Sequence, residues 1–268
     1  MPSARLDIAY DGTRFAGWAA QRGMRTVQAE IEGAVEGIVG ERVTLTVAGR
    51  TDAGVHASGQ VASFEHSRVL PDRLAERLNA VLPRDVAITA ATAAPDGFDA
   101  RRDAKGRSYR YRVLTGPLRD PFEEGRALWW RHPLDRSLLD RCAEAVVGTH
   151  DLTAFTPTQS EHRLFQRTIH AASWSFTPRV TADPAAPGGR SPRRRAERSV
   201  FQEAVGTFEI SAPSFMRSQV RVLVGTMLEV GGGRRSLDDF RSLLEGAPRE
   251  RAGETAPAHG LYLVAVQY

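Results

Sequence analysis

The sequence predicts an α+β fold, with a mainly antiparallel sheet carrying helices on one side, and three observations lead there. Along the 268 residues the apolar spacing switches between a strand-like period of two and a helix-like period near four. Some strand-like runs follow one another with no helical segment between them, which argues against a parallel α/β alternation. With 41% hydrophobic and 25% charged residues, the chain is neither collagen, nor coiled coil, nor wholly disordered, and at this length it can bury a core without staples.

The elements follow in order. Arg5 to Tyr10 alternates apolar and polar residues as a half-buried strand does, and Asp11-Gly12-Thr13 ends it as a turn. Thr26 stands as N-cap to a helix in which Val27, Ile31, Val35 and Ile38 recur until Gly40. Val43 to Ala48 reads as a strand, Gly49 to Gly59 as a loop, and Gln60 to Glu65 as a strand. A helix begins near Pro71, with strands near Asp85 to Thr92 and Ser108 to Leu114. Ala127 to Arg131 is the next strand, followed by a helix capped by Asp135 and stopped at Gly148 and a strand from Thr168 to Phe176. Phe201 to Ile210 reads as a strand. A long apolar helix from Ser214 to Val230, closed by three glycines, precedes a short helix at Ser236 to Glu245 and a last strand at Leu261 to Val266.

Cys142 is the only cysteine, so a disulfide framework and a thiolate zinc site are excluded, and its place on an apolar helix face reads as core. There is no run of 18 apolar residues and no signal-peptide core near Met1, so the chain is expected in the cytoplasm, away from membranes. The net charge of +4 hints at a nucleic acid partner. It is concentrated between Pro178 and Ser199, where six arginines face only Asp183 and Glu197. This stretch has no periodicity and reads as a mobile loop between strands, either a solvated insertion or a basic finger that touches phosphates.

Three groups of residues carry chemistry. The densest is Ala48-Gly49-Arg50-Thr51-Asp52-Ala53-Gly54-Val55-His56, directly after a strand. Its glycines allow a sharp turn and close ligand approach, and Arg50 can hold the Asp52 carboxylate ionised and fix its direction. Asp52 then reads as a nucleophile or a base. A metal at Asp52 and His56 is set aside, because Gly54 opposes the helix that four-residue spacing needs and no further ligand is near. The second group is the strand through Ser108-Tyr109-Arg110-Tyr111-Arg112, which puts both tyrosines on one face and both arginines on the other. Tyr111 reads as core, and Tyr109 as a pocket-edge ring able to stack on an unpaired base. The third is the apolar helix, where Arg217 and Arg221 lie four apart on one stripe. Arg221 there needs an anionic partner, for which Asp52 is the candidate, while Arg217 reads as snorkelling at the helix edge. No histidine sits in a triad pattern and there is no Gly-rich phosphate loop.

The order of these blocks resembles the tRNA pseudouridine synthase A family. The likeness rests on Tyr10-Asp11-Gly12 with Phe15, Gly17 and Trp18; on Gly49 to His56 with Gln60; on Tyr109-Arg110-Tyr111; on Gly148, Asp151 and Phe155; on Phe215, Arg221, Gly225 and Glu229; and on Gly260-Leu261-Tyr262. The resemblance implies isomerisation of uridine to pseudouridine at positions 38, 39 and 40 of the tRNA anticodon stem-loop. It makes Asp52 the catalytic aspartate, Tyr109 the base-stacking ring, and Arg50 and Arg221 the substrate-binding cations around it. It also implies the pseudouridine synthase fold, with two α/β halves, 1–104 and 105–268, meeting at a central cleft. A homodimer gripping one tRNA, with no metal or organic cofactor, is expected on the same ground. Two departures stand out: Ala19 and Ala20 precede Gln21 where the family usually has glutamine after the tryptophan, and Leu152 replaces a usual phenylalanine.

Overall fold

Strand β1 (Ser3–Tyr10) buries Ala4, Leu6, Ile8 and Tyr10 and leaves Arg5 and Asp7 half-exposed, as its alternation requires. It lies between β4 (Val86–Ala94) and β3 (His56–Glu65), antiparallel to both. This is a computed structural model, and it describes residues 1–158, 164–178 and 204–268. The arginine-rich stretch of the sequence falls, apart from Pro178, outside the described residues.

One sheet runs in the order β4-β1-β3-β11-β5-β10-β9, where β5 is Gly106–Thr115, β9 Ala171–Pro178, β10 Ala204–Ala212 and β11 Leu261–Gln267. Short β2 (Thr46–Val47) adds to β3, and β6 (Leu128–Trp130) to β5. Along the main order every pair is antiparallel except β3 with β11, where His56 faces Tyr262 and Ala57 faces Leu263. The C-terminal strand is thus what joins the strands of the first hundred residues to the rest. A separate pair is made by β7 (Gly148–Asp151) and β8 (Gln166–Ile169).

The helices are α1 (Val27–Val39), α2 (Leu74–Val81), α3 (Arg136–Val146), α4 (Gln219–Gly231) and α5 (Leu237–Ser242). Thr26 caps α1 through Ala29 N–H, and Gly40 ends it at φ 72°, a conformation glycine adopts without strain. The apolar faces of these helices and of β1, β5 and β10 form one core. The opposite sheet face carries the ion pairs Arg5–Asp7 and Arg110–Glu209. Burial of α4 is nearly complete: Val220, Val222, Leu223, Val224, Met227, Leu228 and Val230 are all buried, as an all-round apolar helix demands. No helix among the described residues is long and apolar enough to cross a membrane.

Several boundaries differ from the sequence expectations, among them the strand expected over Val43 to Ala48, which is only Thr46–Val47. The long helix starts at Gln219 rather than Ser214, because Ser218 sits at φ 55° and breaks helical geometry before it. The strand expected over Thr168 to Phe176 is two: β8 pairs with β7, β9 pairs with β10, and His170 between them gives its N–H to Ser211. Gly148, at φ 115°, opens β7 instead of stopping α3, which ends at Val146. The loop after β2 is shorter than expected because β3 already starts at His56, whose pairing with Tyr262 in β11 extends the strand.

Candidate active site

The segment from Ala48 to Val55 is clamped from below. Ala48 N–H bonds Val61 O, the Gly49 carbonyl accepts from Gln60 Nε2 at 2.7 Å, and the Thr51 and Tyr10 hydroxyls meet at 2.7 Å. Trp18 N–H bonds Thr51 O, and Val55 N–H closes a turn on Asp52 O with Gly54 at φ 77°. The backbones pack so tightly that a Cβ on Gly12 would lie 2.0 Å from Val55 O. Burial pushes the Tyr10 phenol up to about 12, against the lowering effect of its bonds to Thr51 and Gln60. This buried hydroxyl and amide platform leaves the next side chain, Asp52, as the group projecting above it.

The Asp52 side chain is 31% exposed. Its Oδ2 accepts the Ser218 hydroxyl at 2.8 Å and lies 3.4 Å from Arg221 Nη1, and its Oδ1 lies 4.0 Å from Arg217 Nε. Arg221, only 17% exposed, is anchored by Nε on the Ala256 carbonyl at 2.7 Å. Gly225 makes that anchor possible, since a Cβ there would fall 1.9 Å from Glu254 O and push the 253–256 segment off α4. The sequence-level pairing of Arg221 with Asp52 is therefore a contact in the fold.

Arg50 is placed differently from expectation. It is exposed and makes no ion pair or hydrogen bond among the described residues, so the cations beside Asp52 come from the start of α4 and not from its own loop. An exposed guanidinium gains little from pairing against water, which favours leaving it solvated. Arg217, expected to snorkel, is indeed 81% exposed, yet its Nε approaches Oδ1.

Tyr109 is 9% exposed and Tyr111 fully buried, with the Tyr111 hydroxyl on Pro257 O at 2.8 Å. Tyr109 meets Phe215 edge-on at 5.1 Å between ring centroids, and its hydroxyl lies 3.5 Å from where a Gly49 Cβ would stand. Burial pushes the Tyr109 phenol well above its ordinary range, and the charge of Asp52 adds to the rise. The ring is thus a neutral aromatic surface beside an acidic group.

Two residues of the site escaped the sequence reading. Ser218 is one. The other is Arg107, whose guanidinium donates to the carbonyls of Ala48 (2.7 Å), Pro213 (2.7 Å), Arg101 (3.0 Å) and Ala104 (3.2 Å). It ties the start of the Asp52 loop to the approach to α4. No local signal marks either contact, because Asp52, Ala48 and Pro213 lie far along the chain from their partners and the acceptors of Arg107 are all backbone oxygens. His56 is occupied elsewhere: Nδ1 accepts Gly12 N–H at 3.0 Å, Nε2 faces the Gly125 and His259 carbonyls, and the ring stacks on Tyr262. No group of three or more metal-ligating side chains occurs among the described residues.

The site thus presents a single acidic group, held by a hydroxyl and a guanidinium and within electrostatic reach of the Tyr109 ring. The family model described as tRNA pseudouridine synthase matches residues 8–102 and 142–268. A tRNA pseudouridine synthase A of Acetivibrio thermocellus is 38% identical over all of both chains, and one of Bacillus subtilis is 38% identical over 98% of each. A third such relative, from Myxococcus xanthus, is 37% identical over all of this chain and 92% of its own length. The chain belongs to the tRNA pseudouridine synthase family, a family of isomerases.

Proposed function

We propose that this protein isomerises uridine to pseudouridine at positions 38, 39 and 40 in the anticodon stem-loop of tRNA, with Asp52 as the acting carboxylate. Membership of the family supports the reaction, and the observation that carries the residue assignment is the partly open Asp52 carboxylate fixed by Ser218 and Arg221. The reaction breaks the N1 to C1′ bond, turns the uracil, joins C5 to C1′, releases the C5 proton and adds a proton at N1, so atoms balance and no electron or energy source is required. The target nucleotide must leave its stack, which takes a few kcal/mol and least in a loop or at a stem end. Tyr109, whose phenol feels the charge of Asp52, stacks on the extruded base. Asp52 assists cleavage as a nucleophile at C1′ or C6, or as a base toward the C2′ proton.

Arg221 sustains the carboxylate, and exposed Arg50 is available for the flipped nucleotide's phosphate. The halves 1–104 and 105–268 form the two walls of the cleft: Asp52 comes from the first, Tyr109, Ser218 and Arg221 from the second. Two copies of the chain grip one tRNA in the cytoplasm, and binding is mainly through charge and shape. The test is pseudouridine mapping in the anticodon arm of tRNA from cells lacking the protein. Modification at 38–40 should vanish, return with the wild-type protein and stay absent with Asp52→Asn; unchanged modification in the deleted strain would refute the assignment.

A further inference from the structure

We propose that Ser218 is a positioning residue that locks one oxygen of Asp52, Oδ2, and so leaves Oδ1 as the oxygen that reacts. The inference rests on Asp52 being the acting carboxylate.

Helices α1, α3 and α5 begin in the ordinary way. Thr26, Asp135 and Ser236 have extended backbones and accept a hydrogen bond from the N–H three residues on. Ser218 stands in the same place before α4, and serine is a good cap, yet its side chain caps nothing. Its backbone is left-handed, at φ 55° and ψ 3°, which only one other non-glycine residue shares among those described, Arg73. Such strain in a non-glycine residue persists where the surroundings impose it, and it concentrates at functional sites. Here the strained backbone aims the hydroxyl away from its own helix and onto Asp52 Oδ2, 166 residues distant in sequence, at 2.8 Å.

The two carboxylate oxygens are thereby made unequal. Oδ2 has a short bond from Ser218 and a longer one from Arg221, itself pinned on Ala256. Among the described residues Oδ1 has only Arg217 Nε at 4.0 Å, on a largely solvated side chain free to turn toward RNA. A neutral hydroxyl donor fixes the direction of the carboxylate without cancelling its charge, whereas a second close guanidinium would weaken it as a nucleophile or base. Alignment of this kind acts on the chemical step, where misplacement by about 1 Å can lower the rate about 100-fold.

The test compares Ser218→Ala, Ser218→Gly and Ser218→Asn in the full-length protein. Each is measured for single-turnover tritium release from tRNA labelled at uracil C5, for tRNA affinity and for thermal midpoint. Ser218→Gly removes the hydroxyl while suiting the left-handed backbone, so it should melt no lower than wild type, bind tRNA within about two-fold, and release tritium about 10- to 100-fold more slowly. Ser218→Ala should be slowed to a similar extent. Asparagine tolerates the same backbone and offers an amide N–H, so Ser218→Asn should recover to within about five-fold of wild type. Ser218→Gly at the wild-type rate, or Ser218→Asn no faster than Ser218→Gly, would overturn the proposal. Asp52→Asn runs alongside: if it still releases tritium, the failure belongs to the reading of Asp52 itself.

Discussion

Thr51 and Asp52 are neighbours with opposite surroundings: the threonine hydroxyl is bound to Tyr10 in the core, while the carboxylate reaches Ser218 and Arg221 where solvent still enters. The projecting position of Asp52 is legible in the sequence because its signal is local, one acidic group between glycines after a strand. The face of Tyr109 is legible from strand alternation, which it shares with the buried Tyr111. The cations were harder. Only burial links Arg221 to Asp52 in the sequence, and Arg50 does not join it there, because nearness in sequence does not bring two side chains of a turning loop together. At this scale the stacking role gives a clear expectation. Tyr109→Phe keeps the ring and should bind tRNA about as well as wild type, whereas Tyr109→Ala should lose roughly 1 to 3 kcal/mol of affinity by equilibrium titration. Equal affinities for the two variants would remove the stacking role.

Among the elements, α4 matters most, because it delivers Ser218 and Arg221 from one end and fills the core with the rest. Its burial was readable from composition. Its first turn was not, since nothing in Ser214 to Ser218 announces a left-handed residue, and serine normally begins a helix by capping it. The split of the expected strand at His170 was equally hidden, because a strand that changes partners keeps the same residue preferences on both sides of the break. The packing of 253–256 onto α4 gives a sharp prediction. Gly225→Ala puts a Cβ against Glu254 O, displaces the segment that holds Arg221, and should lower stability by about 1 to 3 kcal/mol in denaturant titration. It should also slow tritium release more than it weakens tRNA binding; wild-type stability and rate would show that the close approach is dispensable.

The whole molecule is organised by a sheet in which the parallel pairing of β3 with β11 brings the first and last parts of the chain together. Such long-range closure is not visible in any window of sequence, although the α+β class and the sheet's mainly antiparallel character were. Its buried phenols also set a limit on alkaline stability. Burial pushes Tyr10 and Tyr268 up to about 12, and Tyr109 and Tyr111 are raised as well. An unfolded tyrosine ionises near pH ~10, so the unfolded chain sheds protons first. The stabilisation is complete below that pH and is lost as pH climbs toward the folded values. The thermal midpoint of the free protein should therefore fall steadily above pH ~10; a level midpoint up to pH ~11.5 would contradict the burial of these groups. One acidic side chain, Asp52, is central to the proposed reaction, and the most direct measurement of its role is tritium release from C5-labelled tRNA by purified Asp52→Asn, beside a binding titration of the same variant. Loss of release with tRNA affinity near wild type is the predicted result, and release at the wild-type rate is the one that contradicts it.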